Sequence, residues 1–347
     1  MSCQAVVIQA DADNNNKLVK QSVPIPEPGP GQALVRVQYA AQNPTDVQSF
    51  DAKVFGAGAI LGCDFYGVVE KLGPGVTRVA KGDVVAGLIW GGEIPGLGAF
   101  SEYTIADQNI VFKVPQGIDG AAASTVPLAA NTAWLALFSK RCLNIDRRNA
   151  ANTPVLIWGG SSSVGLFAVQ LAAIAGLRVI TTCSPRNAEL VRSLGASEVF
   201  DYHDPDVVDK IRAAAPGMRY AFDTIGDGDT STLSSRALAS NEQVYLCTVR
   251  PGKAFTENVT ANTIVSDVLV WTAFLKDHSY RGQIVYPASK EDHDLSTELY
   301  DVLPTWLETG KVKANPTKIF NGLDAVHEGF DEFRSGKVSA YKIVYRL

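Results

Sequence analysis

A short apolar run, Val155-Leu-Ile-Trp158, passes directly into Gly159-Gly160-Ser161-Ser162-Ser163-Val164-Gly165 and then into a long apolar stretch. This strand, tight turn and helix constrain the fold more than any other feature. Glycines admit the turn and a close backbone approach, and the N–H groups that open a helix, aided by its dipole, can hold a pyrophosphate. The middle position of the GxxGxxG-like pattern is Ser162, whose Cβ narrows that approach while its hydroxyl offers a donor to phosphate. A glycine turn that only packs helix on strand is the plainer alternative. The surrounding order favours the βαβ reading. Val164 to Ala175 reads as helix, Arg178 to Cys183 as strand and Ala188 to Leu194 as helix. Glu198 to Tyr202 follows as strand, Asp206 to Ala214 as helix, and Ala221 to Thr224 and Gln243 to Thr248 as strands. Such alternation predicts a doubly wound parallel sheet.

In that fold an Asp or Glu about 20 residues beyond the turn would bind the ribose 2′-hydroxyl of NAD. The sequence there is Thr181-Thr182-Cys183-Ser184-Pro185-Arg186-Asn187, with no acid. A hydroxyl, a guanidinium and an amide suit a 2′-phosphate dianion, so NADPH is the expected cofactor. Arg186 as a solvated residue opening a helix is the alternative.

At 347 residues the chain exceeds what one core usually fills, and two domains are expected. The first part reads as strands at Ala5 to Gln9, Ala33 to Ala40, Gly67 to Lys71 and Asp83 to Ile89, divided by Pro- and Gly-rich turns. Gly120 to Lys140 changes to a helical composition. Tyr341 to Arg346 closes the chain as a strand.

A net charge of −5 argues against a nucleic-acid partner, which needs a basic footprint. Two long uncharged stretches, Gly120 to Ser139 and Pro154 to Leu177, raise the question of a membrane span. The second breaks into strand, turn and helix, which would leave backbone groups unsatisfied in lipid, so no membrane partner is expected. Five scattered cysteines without a CxxC pair, and no secretory leader, point to a reducing, cytoplasmic setting. The four histidines, His203, His278, His293 and His327, share no ligand spacing.

Asn43-Pro44-Thr45-Asp46, Gly62-Cys63-Asp64-Phe65-Tyr66-Gly67-Val68-Val69, Gly82-Asp83-Val84-Val85, the glycine turn and Leu194-Gly195-Ala196 together resemble the quinone-oxidoreductase side of the medium-chain dehydrogenase/reductases. Trp158 to Val164, Cys183 to Asn187, Val199 to Tyr202 and Phe222 to Ile225 look most like the fungal trans-acting enoyl reductases that serve polyketide synthases. The resemblance covers essentially the whole chain. It implies an α/β protein in which a GroES-like β-barrel domain (1–122 and 280–347) flanks an inserted Rossmann domain (123–279).

By the same likeness Pro44, Thr45, Asp46 and Val47 would line the nicotinamide, and Ser162, Ser163, Val164 and Gly165 the pyrophosphate. Ser184, Pro185, Arg186 and Asn187 would hold the 2′-phosphate, Tyr202 the adenine side, and Thr248, Val249, Val338 and Ser339 would complete the site. Thr132, Ala133, Trp134, Leu135 and Phe138, with Leu269, Val270, Trp271, Thr272 and Ala273, would face the substrate; the second group reads equally well as a core face. Asn43 stands where a zinc-binding relative has a Cys ligand and Cys63-Asp64 where it has a His-Glu pair, while Tyr103 to Pro115 has no cysteine cluster. A zinc-independent enzyme is therefore expected.

Without a Lewis acid, the accessible chemistry is hydride addition to an alkene activated by a carbonyl, with a donor for the developing enolate and a proton for the α-carbon. Gln48, Tyr66 and Thr132 are the candidate catalytic donors. A lysine occurs near the position of Gln48 in some relatives, so this chain lacks one cationic stabiliser. The resemblance implies a substrate carried by an acyl carrier protein or polyketide synthase, including hybrids with a peptide synthetase. Lys140, Arg141, Arg147 and Arg148 form a candidate basic landing patch, or an ordinary solvated helix end. A freestanding quinone or enone reductase and a non-catalytic scaffold that keeps the dinucleotide fold are the competing readings.

Overall fold

The computed structural model describes residues 1–10, 15–280, 282 and 284–347. The chain divides into two units. One comprises Met1–Leu128, Tyr300–Gly310 and Ala314–Leu347; the other comprises Ala129–Leu299 and Lys311–Lys313.

In the first unit a seven-stranded sheet runs in the order Thr317–Asn321, Lys342–Arg346, Gln32–Ala41, Asp64–Leu72, Val84–Leu88 and Val111–Lys113, with Tyr103–Asp107 also paired to Gln32–Ala41. Period-two alternation explains its layering. Ala33, Val35 and Val37 point into a core with Phe65, Phe100 and Phe330, while Arg36 between them faces outward and pairs with Glu70. Register shifts at Leu34/Val35 and Val37/Tyr39 bend the sheet, and Gly67 lies so close to the facing strand that a Cβ would collide with the Arg36 carbonyl. The tail returns here, Lys342–Arg346 pairing antiparallel with Gln32–Ala41. Ser2–Ala10 pairs with Asn16–Pro24 as a separate two-stranded sheet whose Val6 and Ile8 enter the same core. Its second strand is half-exposed along its length and carries no apolar alternation that sequence reasoning could find.

In the second unit six parallel strands run in the order Glu198–Phe200, Arg178–Thr182, Pro154–Trp158, Tyr220–Asp223, Val244–Thr248 and Thr263–Asp267. Chain order reverses beside Pro154–Trp158, which creates the switch point of a doubly wound sheet. The sixth strand, not anticipated from sequence, is a half-exposed edge with no continuous apolar run.

Three expectations shift. Gly120 to Lys140 forms two helices, Gly120–Ser124 and Pro127–Phe138, because a residue preceding proline is disfavoured in helix. A 19-residue helix, Lys290–Glu308, occupies a stretch left unassigned. The unit boundaries fall at 128 and 299 rather than 122 and 279. Residues 290–299 join the second unit because Trp134 Nε1 donates to Leu295 O (2.9 Å), Ser139 Oγ to Asp292 (2.6 Å) and Arg147 twice to Glu298. Among the described residues no helix is long and apolar enough to cross a membrane.

Candidate active site

The glycine turn sits at the carboxyl end of Pro154–Trp158, beside the switch point. Gly159 adopts a positive φ of 83°, open to glycine at no steric cost. A Cβ on Gly160 would collide with Thr181 Oγ1, and one on Gly165 with the Gly159 carbonyl. Both glycines therefore serve helix–strand packing. Ser162 is the N-cap of helix Ser163–Ile174: its hydroxyl accepts the Gly165 N–H at 2.9 Å and lies 2.8 Å from Thr224 Oγ1. The hydroxyl expected to face phosphate is thus tied to the protein, where it caps the helix through the Gly165 N–H.

The residues expected at the 2′-phosphate form one short turn. Ser184, Pro185, Arg186 and Asn187 follow strand Arg178–Thr182 in a short 3₁₀ turn, with Arg186 exposed. Asn187 Nδ2 donates to Ser161 Oγ (3.2 Å), joining this corner to the glycine turn, and Ser184 Oγ lies 3.4 Å from the Tyr202 hydroxyl. Tyr202 and Ile225 are large side chains left 43% and 37% exposed at the carboxyl ends of their strands, offering apolar faces to a ring. This set fits a dinucleotide. At the next strand ends, buried Asp223 accepts from Ile225 N, Gly226 N, Thr230 Oγ1 and Ser231 Oγ, and Val249 N donates to Asp223 O. Thr248 is fully buried, its Oγ1 accepting from Arg250 N (3.3 Å), so its neighbour Val249 is the more accessible of that expected pair.

In the first unit the helix Pro44–Asp51 separates its expected residues onto two faces. Pro44 is exposed and Thr45 and Gln48 partly so, whereas Val47 belongs to the core. Asp46 is buried in a hydrogen-bond knot, its carboxylate accepting from Asn43 N (2.7 Å), Gly62 N (3.1 Å) and Cys63 Sγ (3.3 Å). Burial pushes the Asp46 pKa up to about 7 against the opposing effect of those bonds, and burial with the adjacent Asp46 raises the Cys63 thiol well above its usual range. A second knot centres on Asp64, which is inaccessible to solvent. It accepts from Asn43 Nδ2 (2.8 Å), Leu128 N (2.7 Å) and the buried ammonium of Lys342 (2.6 Å). Lys342 and Leu128 escaped sequence analysis, since a lone lysine in a strand and an apolar residue before a helix carry no local signal. Tyr66 shares the strand face of Asp64, packs edge-on against Tyr39 (5.8 Å) and closely against Gly120. Burial raises its pKa further above that of an ordinary phenol, which is itself protonated at neutral pH. Val338 packs against the core and Ser339 lies beside it in the loop before the last strand.

The expected substrate residues Thr132, Ala133, Trp134, Leu135 and Phe138 are all buried along Pro127–Phe138, and Leu269, Val270, Trp271, Thr272 and Ala273 are buried in a short 3₁₀ segment. Trp134 and Phe138 pack edge-to-face (4.7 Å) beneath the Arg147 guanidinium. The four cations of the candidate landing patch each meet an acid: Lys140 with Glu291, Arg141 with Asp292, Arg147 with Glu298 and Arg148 with Asp146.

The alcohol dehydrogenase GroES-like domain model matches residues 29–116, inside the first unit, and the zinc-binding dehydrogenase model matches residues 163–291, inside the second. A zinc-type alcohol dehydrogenase-like protein of Schizosaccharomyces pombe is 34% identical, covering 97% of this chain and 98% of its own. A trans-enoyl reductase of Gibberella fujikuroi is 33% identical, covering 97% and 95%. Among solved structures, an alcohol dehydrogenase superfamily protein from Novosphingobium aromaticivorans superposes with a TM-score of 0.78 at 24% identity over 99% of each chain. The CurK enoyl reductase does so at 0.73 and 20% identity over 99% and 98%.

The zinc in two of these names does not fit the residues found here. Asn43 spends its amide on Asp64, the Cys63 thiol is held protonated against Asp46, and Asp64 is neutralised by an ammonium, whereas zinc needs deprotonated, uncommitted ligands. Two domain matches on two units, a shared fold and full-length identity to several trans-enoyl reductases converge: the chain belongs to the medium-chain dehydrogenase/reductase superfamily of oxidoreductases, on the branch that holds the fungal trans-enoyl reductases.

Proposed function

We propose that the protein is a trans-acting, NADPH-dependent enoyl reductase that reduces the α,β-unsaturated thioester of a polyketide chain carried by a partner synthase. The carrying observation is the turn at the end of the second Rossmann strand, where Ser184, Arg186 and Asn187 follow one another with no acid among residues 184–187, in a chain similar from end to end to trans-enoyl reductases. An acid there would repel a 2′-phosphate; a guanidinium with a hydroxyl and an amide attracts it.

When bound, NADPH supplies the hydride that adds to the β-carbon. Arg186, Ser184 and Asn187 hold the 2′-phosphate, and the first turn of Ser163–Ile174 holds the pyrophosphate. By the family resemblance Thr45 and Gln48, on the accessible face of their helix, would line the nicotinamide, while Asp46 and Val47 hold that helix from within. Tyr66, protonated at neutral pH, and the Gln48 amide are the candidate donors for the thioester oxygen as negative charge develops there, whereas the third candidate, the Thr132 hydroxyl, is buried. The pairing of all four patch cations leaves a carrier protein to be recognised by other means than an open basic cluster.

Oxidation of NADPH by the purified protein, compared between a carrier-tethered enoyl thioester and a small free quinone, tests the proposal. Faster turnover of the tethered substrate supports it. Turnover of the quinone alone assigns a freestanding quinone or enone reductase, and tight binding without turnover of either assigns a non-catalytic scaffold.

A further inference from the structure

The dinucleotide turn departs from glycine at Ser162, and a side chain there stands in the path by which a pyrophosphate approaches the backbone. In this protein that side chain is held aside. Ser162 Oγ lies 2.8 Å from Thr224 Oγ1, at the end of the neighbouring strand Tyr220–Asp223, and Thr224 Oγ1 lies 2.8 Å from Trp158 O and 3.0 Å from Gly159 O. Gly165 N donates to Ser162 Oγ from the other side. Whichever way the shared proton points, these contacts join the helix start, the turn and two adjacent strands through two hydroxyls. Thr224 is 7% exposed, so solvent does not compete for its hydroxyl.

We infer that Thr224 is a positioning residue for cofactor binding: by holding the Ser162 hydroxyl between itself and the Gly165 N–H, it keeps that side chain out of the path of a pyrophosphate approaching the helix start and compensates the missing glycine. The inference rests on the reading of this turn as a dinucleotide site, but not on the choice of NADPH over NADH or on the substrate. It pairs two positions: a hydroxyl is needed at 224 because 162 is a serine.

Dissociation constants measured by calorimetry for ADP-ribose, which has the pyrophosphate but no 2′-phosphate, and for adenosine 2′-monophosphate, which has the reverse, separate the possibilities. Thr224→Val is expected to weaken ADP-ribose about fivefold, the scale of one hydrogen bond, and to leave adenosine 2′-monophosphate unchanged. Thr224→Ser restores wild-type binding. Ser162→Gly combined with Thr224→Val also recovers it, since a glycine has nothing to hold aside and costs little as an N-cap. Unchanged ADP-ribose binding in Thr224→Val, equal weakening of both probes, or a double variant no better than Thr224→Val overturns the inference. Failure of the unaltered protein to bind ADP-ribose removes the dinucleotide reading with it. Binding of ADP-ribose without preference for NADPH over NADH removes only the cofactor assignment and leaves the role of Thr224 standing.

Discussion

Two polar networks organise the two units, and they solve opposite problems. Around Asp64 in the first unit, full charges are buried: an ammonium and a carboxylate 2.6 Å apart, with an amide and a backbone N–H completing the carboxylate. Around Thr224 in the second unit no charge is involved, only hydroxyls, carbonyls and one helix-capping N–H. A buried ion pair gains little over apolar residues while intact, yet costs heavily when one partner is lost, because the other charge remains desolvated. A hydroxyl bridge costs little to break, but it fixes geometry at a rim where a ligand can sense it. The first network is a clamp on the fold, the second an adjustment of a site.

Lys342→Met breaks the comparison most directly. Left facing no counter-charge, Asp64 should lower unfolding stability by about 3–5 kcal/mol in urea titration, and Lys342→Met with Asp64→Leu should recover most of it. An unchanged midpoint in the single variant would show that the pair does not clamp the fold. Asp46 gives the next effect, read in pH. Its pKa is raised from 3.8 to about 7, so the folded state binds more protons than the unfolded state between those values. Its favourable contribution is complete below the unfolded pKa and is lost as pH rises through about 7. Denaturation midpoints across that range should fall with pH in the unaltered protein and fall less in Asp46→Asn; parallel profiles would refute the assignment.

Gly165→Ala places a Cβ against the Gly159 carbonyl, where backbone must move, and should cost about 1–3 kcal/mol of thermal stability. Thr224→Val should cost only about 1 kcal/mol by the same denaturation assay, far below Lys342→Met, and a cost equal to that of the ion pair would erase the distinction between clamp and adjustment. Smallest is Lys140→Ala, which removes an exposed pair with Glu291 and should change stability by about 0.5 kcal/mol or less. A larger loss would give that surface pair a structural role denied to it by its solvation.

Sequence alone determined whatever depends on near neighbours in the chain. The turn Gly159 to Gly165, the alternation of strands and helices after Pro154 and the absence of an acid among Ser184 to Asn187 are each written in consecutive residues, because φ/ψ freedom, hydrophobic period and helix capping act over a few positions. Even Asn43, Cys63 and Asp64 stood out as a departure from a metal-binding pattern. Only the tertiary structure decided what those residues do with their polar atoms. Lys342 meets Asp64 across 278 positions and Thr224 meets Ser162 across 62, and no local period encodes such a meeting. The same holds for the fate of Asp46 and Val47, which a short helix turns inward while Thr45 and Gln48 remain accessible. Burial and partner are properties of the packed chain, and it is desolvation, set by packing, that makes one buried charge a clamp and one buried hydroxyl a guide.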